Sequence, residues 1–295
     1  MKVAIAGSSG FLGTALREHL HSAGHNVVRL VRSDPTSPAE SRWDPYAGQV
    51  DAEQLAGCDV VVNLAGVPIA RPWTAKQRRA ILRSRVATTR TLAVALAGMP
   101  DPPAFLAQSG IDFYGDRGAE VVDESSPAGA GFLAGVTRAW EDATLPASAA
   151  GVRVCRLRTG VVLDASGGAL RLMLVPFRLG AGGRLGSGRQ YMSAISLTDW
   201  VRATYFLMKA PTTSGAFNVV APHPPTNAEL TAELGRALHR PTRLAVPSFA
   251  LRKALGGLSA TLLSSVRAHP ARLTEAGYTF QHPDAAAIVG AALHS

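Results

Sequence analysis

Charged, aromatic and cysteine residues are all scarce in this 295-residue chain. Charged residues make up 17% of the sequence and aromatic residues 6%, against 47% hydrophobic residues. This composition excludes an intrinsically disordered chain and supplies a packed core. The two cysteines, Cys58 and Cys155, each lie in an apolar, strand-like run, and so small a number excludes a disulfide framework. We therefore expect buried free thiols in a reducing, cytoplasmic protein.

The sequence pattern also predicts no segment that would direct the chain into a membrane. The first apolar run, AIAG, begins at Ala4, without the charged and hydrophobic segments that a signal peptide places ahead of its cleavage site. No apolar stretch approaches the roughly 20 residues that a helix needs to span a bilayer. We expect no membrane partner.

Acidic residues are outnumbered by basic ones. The chain has 30 Lys and Arg residues against 21 Asp and Glu residues, a formal net charge of +9. Only KQRRAILRSR (76–85) is dense in positive charge, and no aromatic residues interleave with its charges. A solvated helix face is therefore a better interpretation than a nucleic-acid surface. A small-molecule substrate, with an anionic one favoured, accounts better for the excess charge.

Short β-branched runs alternate with longer helical patterns through the first two-thirds of the sequence. The patterns predict strands at 2–7, 26–32, 58–66, 103–110 and 151–163, and helices at 12–24, 74–98 (with Thr74 as its N-cap) and around 131–143. Such alternation, with near-continuous apolar strands, is typical of a parallel sheet covered on both faces. We therefore predict an α/β protein with a doubly wound parallel sheet.

A glycine-rich turn follows the first predicted strand. GSSGFLG (7–13) ends that strand and opens the first predicted helix. Glycines at this spacing permit a tight turn, a close approach of the backbone to a pyrophosphate, and close packing of helix on strand. Amide groups at the helix N-terminus then hold the anion. In this context the motif predicts a Rossmann-type dinucleotide site, to which we assign Gly7, Ser9, Gly10, Phe11, Leu12 and Gly13.

The end of the second strand indicates which dinucleotide is bound. An NAD site usually presents an acidic residue there, which binds the ribose 2′-hydroxyl group. Here the strand ends LVRSD, so Arg32 lies where a carboxylate is expected, and Asp34 comes later, before Pro35. An arginine can make a forked contact with a 2′-phosphate. We predict NADP(H) as the cofactor, although a surface arginine at a strand end is the alternative.

The regular alternation of strand and helix patterns ends in the last third of the sequence. An apolar run at 215–222 and a helical pattern at 227–240, which opens after Thr226, precede helices that are punctuated by proline. Such a change is typical of a second, smaller unit. We predict that residues 1–165 mainly form the Rossmann-type domain, with some later segments returning to it. Residues 166–295 would mainly form a smaller C-terminal lobe on the substrate side.

The glycine motif, NLAG (63–66) and SGIDFYGDRG (109–118) together resemble the extended short-chain dehydrogenase/reductase superfamily. Within it, the chain resembles NAD-dependent epimerase/dehydratase-like proteins with a C-terminal domain of unknown function. The supporting stretches run along nearly the whole chain and are GVPIARPWTAKQRRAILRSRVATTRTL (66–92), YGDRG (114–118), LRTGVVL (157–163), GGRLGSGRQYMS (182–193), VPSFALRKALGG (246–257) and LTEAGYTFQHPD (273–284). The resemblance implies a Rossmann-type domain, an NADP-type cofactor and a small C-terminal lobe. It implies no particular reaction.

Matching residue by residue, the resemblance also implies roles for individual positions. The matched residues are Leu64, Ala65 and Gly66 on the adenosine–pyrophosphate side, Ser109 at the strand end beside the nicotinamide, Arg158, Thr159 and Gly160 in a turn close to the nicotinamide, and Arg189 and Gln190 in a loop facing the substrate cleft.

Two departures concern proton transfer. Phe132 and Val136 stand about where the superfamily has its catalytic tyrosine and lysine, and neither side chain can move a proton. Ser196 stands where the resemblance leads us to expect a histidine. As replacements we nominate Tyr114, with a pKa lowered by a neighbouring arginine, and Ser109, which would orient a carbonyl oxygen. The alternative for Tyr114 is simple packing in a turn.

Two functions therefore stay open at this point. The first is an NADP(H)-dependent oxidoreductase or epimerase with a non-standard proton donor, and the second is a protein that senses NADP(H) and signals to a partner. Glu141 is a third proton carrier by residue type, but a solvated carboxylate on a helix is the better interpretation. No histidine pair has metal-ligand spacing with a supporting acid, so we assign no metal.

Overall fold

The structure is a computed structural model that describes residues 1–294. Its strands are β1 (Lys2–Ala6), β2 (Asn26–Val31), β3 (Glu40–Asp44), β4 (Gln49–Val50), β5 (Val60–Asn63), β6 (Ala104–Gly110), β7 (Val121–Val122), β8 (Val154–Thr159), β9 (Val161–Asp164), β10 (Gly183–Leu185), β11 (Ala194–Ser196), β12 (Gly215–Val219), β13 (Leu244–Val246) and β14 (Arg267–Ala268).

Helices alternate with these strands. They are α1 (Phe11–Ser22), α2 (Ala52–Ala56), α3 (Ala75–Ala97), α4 (Phe132–Asp142), α5 (Leu145–Ala149), α6 (Gly168–Arg178), α7 (Leu197–Lys209), α8 (Asn227–Ala237), α9 (Ser248–Leu255), α10 (Leu258–Leu263), α11 (Ala271–Glu275) and α12 (Ala285–His294), with a short 3₁₀ helix at Ile111–Tyr114. No helix among residues 1–294 has the length and apolar character needed to cross a membrane.

An eight-stranded sheet organises the molecule. Its strand order is β12-β8-β6-β5-β1-β2-β3-β4. Every neighbouring pair is parallel except β3 and β4, which are antiparallel. The order runs outward from β1 in both directions, which is the doubly wound arrangement, and it brings the carboxyl ends of the parallel strands to one edge.

Both faces of this sheet are covered, because its strands are apolar on both sides. One hydrophobic cluster joins the sheet to α1 and α7 through Leu16, Leu20 and Trp200. A second joins the opposite face to α2 and α3, through residues such as Leu55 and Leu92. The predicted Rossmann-type fold is thereby confirmed.

The sequence pattern at 151–163 was interpreted as one strand, and this was wrong. The structure has two strands there, and they belong to different sheets: β8 pairs with β6 and β12, whereas β9 pairs with β11. Gly160 makes the break possible, because a Cβ atom on it would lie 2.1 Å from the carbonyl oxygen of Ser193. The close approach carries the chain out of the large sheet.

Two predicted helix starts are confirmed. Thr74 caps α3 by accepting a hydrogen bond from the amide of Gln77. Thr226 caps α8 in a reciprocal capping box with Glu229. In both cases a hydroxyl satisfies an amide that the helix cannot.

The second half of the chain builds a smaller lobe but also contributes to the large sheet. Its core holds buried residues of α6, α8 and α12, among them Leu170, Leu230 and Ile288. The strand β12 lies beside β8 at the edge of the large sheet. The domain boundary at residue 165 stays a prediction.

Candidate cofactor site

The glycine turn after β1 has no room for side chains at two of its positions. A Cβ atom on Gly7 would lie 2.8 Å from the carbonyl carbon of Leu64, and one on Gly13 would lie 2.2 Å from the carbonyl oxygen of Gly7. Gly7 also has a φ of 80°, which favours glycine. At Gly10 the nearest atom is the Gly7 oxygen at 3.3 Å, so the space there is not required for packing.

The N-terminus of α1 is free to receive an anion. Gly10 is its N-cap, no side chain caps it, and its first turn contains no acidic residue. Ser9 and Gly10 are exposed, and Phe11 and Leu12 are half-buried. The cradle therefore fits a pyrophosphate group, whose charge the uncapped amides and the helix dipole would stabilise.

Carboxylates near the end of β2 are already paired. Asp34 forms an ion pair with Arg42 at 2.6 Å, and Glu40 forms one with Arg29 at 3.0 Å. Arg32 is exposed. Within residues 1–294 it has no ion pair or hydrogen bond. This region therefore presents a free cation and no free carboxylate.

The segment after β5 is held by a residue that the sequence analysis missed. Asn63 accepts a hydrogen bond from the amide of Ala65 (3.1 Å) and donates one to Thr89 (2.9 Å). Leu64 continues from the strand by donating its amide to Ala6, and Gly66 lies beside Arg85. An asparagine with both faces of its amide in use fixes the 64–66 turn next to the glycine cradle. The run NLAG (63–66), which begins with Asn63, was the sequence signal that could have identified this residue.

Apolar side chains occupy the two positions where the superfamily has its catalytic tyrosine and lysine. Phe132 and Val136 belong to a cluster with Ile81, Leu133, Ile69 and Trp73. The rings of Phe132 and Trp73 meet edge to face at 5.1 Å, and the guanidinium of Arg78 lies over both. Neither position supplies an acid or a base.

Ser109 and Tyr114 lie in a buried network rather than in the open. Ser109 donates to Glu141 (2.8 Å), which also forms a bidentate pair with Arg158. Arg158 donates to the Tyr114 hydroxyl (3.0 Å), which in turn donates to Asn218 (2.8 Å). Both predicted hydroxyls are thus engaged by the protein itself, and their action on a substrate stays a prediction.

Burial corrects two sequence-based expectations about this network. The pKa of Tyr114 was expected to fall, but burial raises it to about 12, and the adjacent Arg158 offsets this only in part. Glu141 was interpreted as solvated, yet it is 5% exposed. The residue type of Glu141 and its position on α4 could not reveal that Arg158, on the strand β8, forms a buried ion pair with it.

The other predicted residues of the β8 turn are also occupied by protein contacts. Thr159 accepts a hydrogen bond from the indole of Trp200 (3.0 Å), and Gly160 packs on Ser193. In the lobe, Gln190 donates to the carbonyl oxygen of Leu185 (3.0 Å), so it fixes a loop. Arg189 beside it is exposed.

Ser196 has a histidine beside it after all. The Ser196 hydroxyl caps α7 and lies 2.8 Å from Nδ1 of His282, which comes from near the C-terminus. The carboxylate of Asp199 accepts hydrogen bonds from the His282 amide (2.7 Å) and the Tyr278 hydroxyl (2.8 Å). Because these bonds join α7 to the end of the chain, the cluster is a clamp between segments. Within the described chain no group of three metal-ligating side chains occurs.

Two protein-family models match the chain, and together they cover most of its length. Residues 3–220 match the NAD dependent epimerase/dehydratase family, and residues 246–291 match a domain of unknown function. The chain belongs to this epimerase/dehydratase family. It is 46% identical over 282 residues to an epimerase family protein of Mycobacterium bovis, covering 95% of this chain and 93% of that one. It is also 37% identical to human epimerase family protein SDR39U1, covering 99% and 98% of the two chains.

Solved structures extend the family likeness. A crystal structure of human SDR39U1 with NADPH superposes with a TM-score of 0.91 at 33% identity, covering 100% of both chains. A nucleoside-diphosphate sugar epimerase of Corynebacterium glutamicum has a TM-score of 0.82 at 36% identity, covering 99% of this chain and 58% of that one. These epimerase/dehydratase relatives share the whole fold, including the smaller lobe.

Proposed function

We propose that this chain is an NADP(H)-dependent oxidoreductase or epimerase of the epimerase/dehydratase family that works without a tyrosine–lysine pair. The observation that carries the choice of cofactor lies at the end of β2. Arg32 is exposed there without a protein partner, whereas Asp34 is paired with Arg42. An unpaired arginine favours a 2′-phosphate, and a paired carboxylate is a poor ligand for a 2′-hydroxyl group. When bound, NADPH supplies a hydride.

The residues that would hold the cofactor follow from the cradle. The α1 N-terminus would hold the pyrophosphate through the amides of the 9–13 segment, and Arg32 would hold the 2′-phosphate. The 64–66 turn and the 158–160 turn lie at the carboxyl ends of β5 and β8, the edge where open α/β sheets bind ligands. Human SDR39U1, which was crystallised with NADPH, supports this assignment.

The substrate is proposed to be a small anionic molecule. Residues 166–295, which form the smaller lobe and also contribute β12 to the large sheet and α7 to one of its faces, carry thirteen Lys and Arg against only five Asp and Glu, so nearly all of the net positive charge lies in this part of the chain. Arg189 in that lobe is exposed. A positive lobe beside the cofactor edge would attract anions. A reducing, cytoplasmic setting belongs to the proposal and is supported by the free thiols of Cys58 and Cys155.

A second candidate is an NADP(H) sensor that signals to a protein partner. It is favoured by the engagement of the Ser109 and Tyr114 hydroxyls with Glu141, Arg158 and Asn218. A protein that only holds the cofactor needs no proton donor in the cleft.

Single-turnover oxidation of NADPH with a panel of carbonyl compounds, half of them carboxylates, separates the two candidates. The enzyme proposal expects turnover that is faster with the anionic members. Tight NADPH binding without turnover on any member would support the sensor. Absence of NADPH binding would contradict both.

A further inference from the structure

The carboxyl group of Asp112 lies just beyond the end of β6. Asp112 is in the 3₁₀ helix that directly follows Gly110, the last residue of β6. A Cβ atom on Gly110 would lie 3.6 Å from Asp112 Oδ2 and 3.4 Å from Thr137 on α4. Because Gly110 has no side chain, Asp112 takes the space between the strand end and α4.

This position is the edge of the sheet where ligands bind. β6 is parallel to both β5 and β8, and Gly110 is opposite Thr159 in the register. In open α/β sheets the ligand lies outside the carboxyl ends of such strands. The side chain of Asp112 therefore lies between the two turns to which the cofactor is assigned.

The carboxyl group of Asp112 is free, unlike the hydroxyls near it. No other residue of the described chain hydrogen-bonds to it or forms an ion pair with it, and the residue is half-buried. Tyr114, by contrast, is 0% exposed with its hydroxyl engaged on both sides. Asp112 is therefore the carboxyl group at the end of β6 with capacity left for a ligand, and the nearby amide oxygen of Gln108 also has no partner within the described chain.

Charges around Asp112 come from three elements. Arg85 on α3 acts on the carboxyl through its charge without a direct ion pair. The 3₁₀ helix also packs against α4 and β8, where Glu141 and Arg158 form an ion pair with each other. Burial raises the pKa of Asp112 to about 6, and Arg85 opposes this only in part. A general acid with a pKa near the working pH is suited to proton transfer.

We propose that Asp112 is the proton donor and acceptor of this site, in place of the missing tyrosine. The proposal rests on the proposed oxidoreductase function. In reduction, the O–H bond of the Asp112 carboxylic acid breaks and an O–H bond forms on the carbonyl oxygen of the substrate. The hydride and both electrons come from NADPH, which is oxidised to NADP⁺. The product is an alcohol, and the Asp112 carboxylate is reprotonated by a proton taken up from solution, so that one proton is consumed in each turnover.

The first test reads the carboxyl group without turnover. Protein labelled with ¹³C at the aspartate carboxyl carbon is titrated by NMR, and the Asp112 signal is assigned by its loss in Asp112→Asn. Asp101→Asn, an exposed site before β6, is the matched control and should remove a different signal. We expect the Asp112 signal to titrate near pH 6 and to move when NADPH is added. NADPH binding that leaves this signal unmoved would overturn the proposal.

The second test uses NADPH oxidation with a reactive dicarbonyl. Asp112→Asn should lower the single-turnover rate by about 10²–10⁴-fold while the Kd for NADPH stays unchanged. Asp112→Glu keeps a carboxyl and should restore part of the rate, which separates proton transfer from a packing role. A parent-like rate in a folded Asp112→Asn variant would overturn the proposal. If the parent protein does not bind NADPH at all, the proposed function fails instead.

Discussion

Arg158 and Glu141 form a buried, bidentate ion pair that joins β8 to α4. The Arg158 Nε atom lies 2.8 Å from Oε1 and its Nη2 atom 2.9 Å from Oε2, with both side chains about 95% buried. Ser109 and Tyr114 complete the surroundings of the two charges. The pair therefore joins the carboxyl end of β8, in the large sheet, to α4, the helix that carries Phe132 and Val136.

Removing the carboxylate should cost stability rather than cofactor affinity. Glu141→Gln leaves the charge of Arg158 buried without its partner, which costs about 3–5 kcal/mol in other proteins. The measurement is the free energy of unfolding in urea. Asp142→Asn changes the neighbouring, exposed residue and should leave stability at the parent value. Equal stability of the parent and Glu141→Gln would show that the pair does not hold α4 in place.

Tyr114→Phe separates a structural tyrosine from a catalytic one. The substitution removes the hydroxyl that accepts from Arg158 and donates to Asn218, so one polar atom of each residue loses its buried partner, at a cost of about 1–3 kcal/mol. We expect a lower Tm and a single-turnover rate close to that of the parent. Tyr46→Phe, at a tyrosine that is 44% exposed, is the control. Loss of turnover at unchanged NADPH affinity would assign proton transfer to Tyr114, as the sequence analysis expected.

The raised pKa of Asp112 predicts a dependence of stability on pH. The folded protein holds this proton up to about pH 6, whereas an unfolded chain releases it near pH 4. Between these values the folded state binds more protons, so this group makes stability fall as pH rises. The difference in unfolding free energy between Asp112→Asn and the parent should therefore grow from pH 4 to pH 6 and then level off. A difference that is constant with pH would contradict the shift.

The fold was accessible from the sequence because its signals are local. Alternating apolar runs and the glycine turn at 7–13 specify strands, helices and the cradle within short windows. The split of 151–163 into two strands was missed, since it depends on contact between Gly160 and Ser193. A pattern of apolar residues carries no information on which sheet a strand joins.

The site was less predictable, because side-chain pairing across elements decides it. The roles assigned to Ser109 and Tyr114 assumed open hydroxyls, but Glu141, Arg158 and Asn218 reach them from other elements. The sequence analysis missed Asp112, because an isolated aspartate in a turn is usually solvated. It also missed Arg85, because an arginine in a basic helical segment is usually solvated, whereas this one is 8% exposed.

Arg32 should set the preference for NADPH over NADH. A charge-assisted contact contributes about 1.5–3 kcal/mol, or roughly tenfold or more in affinity. Arg32→Ala should weaken NADPH binding by that factor and leave NADH nearly unchanged. Arg42→Ala is the matched control, because Arg42 is on the adjacent strand but is paired with Asp34. A larger loss for Arg42→Ala, or equal losses of NADPH and NADH affinity for Arg32→Ala, would place the 2′-phosphate elsewhere.

The most direct test of the account is calorimetric titration of the parent and Gly10→Val with NADPH. Gly10 meets only the Gly7 oxygen at 3.3 Å, so the variant should fold, as judged by circular dichroism, while its branched side chain blocks the pyrophosphate. Gly290→Val, at a site with no atom within 4 Å of a Cβ, is the control. We predict saturable NADPH binding by the parent and Gly290→Val and none by Gly10→Val. Unchanged NADPH affinity in folded Gly10→Val, or no binding by the parent, would contradict the assignment of the cradle.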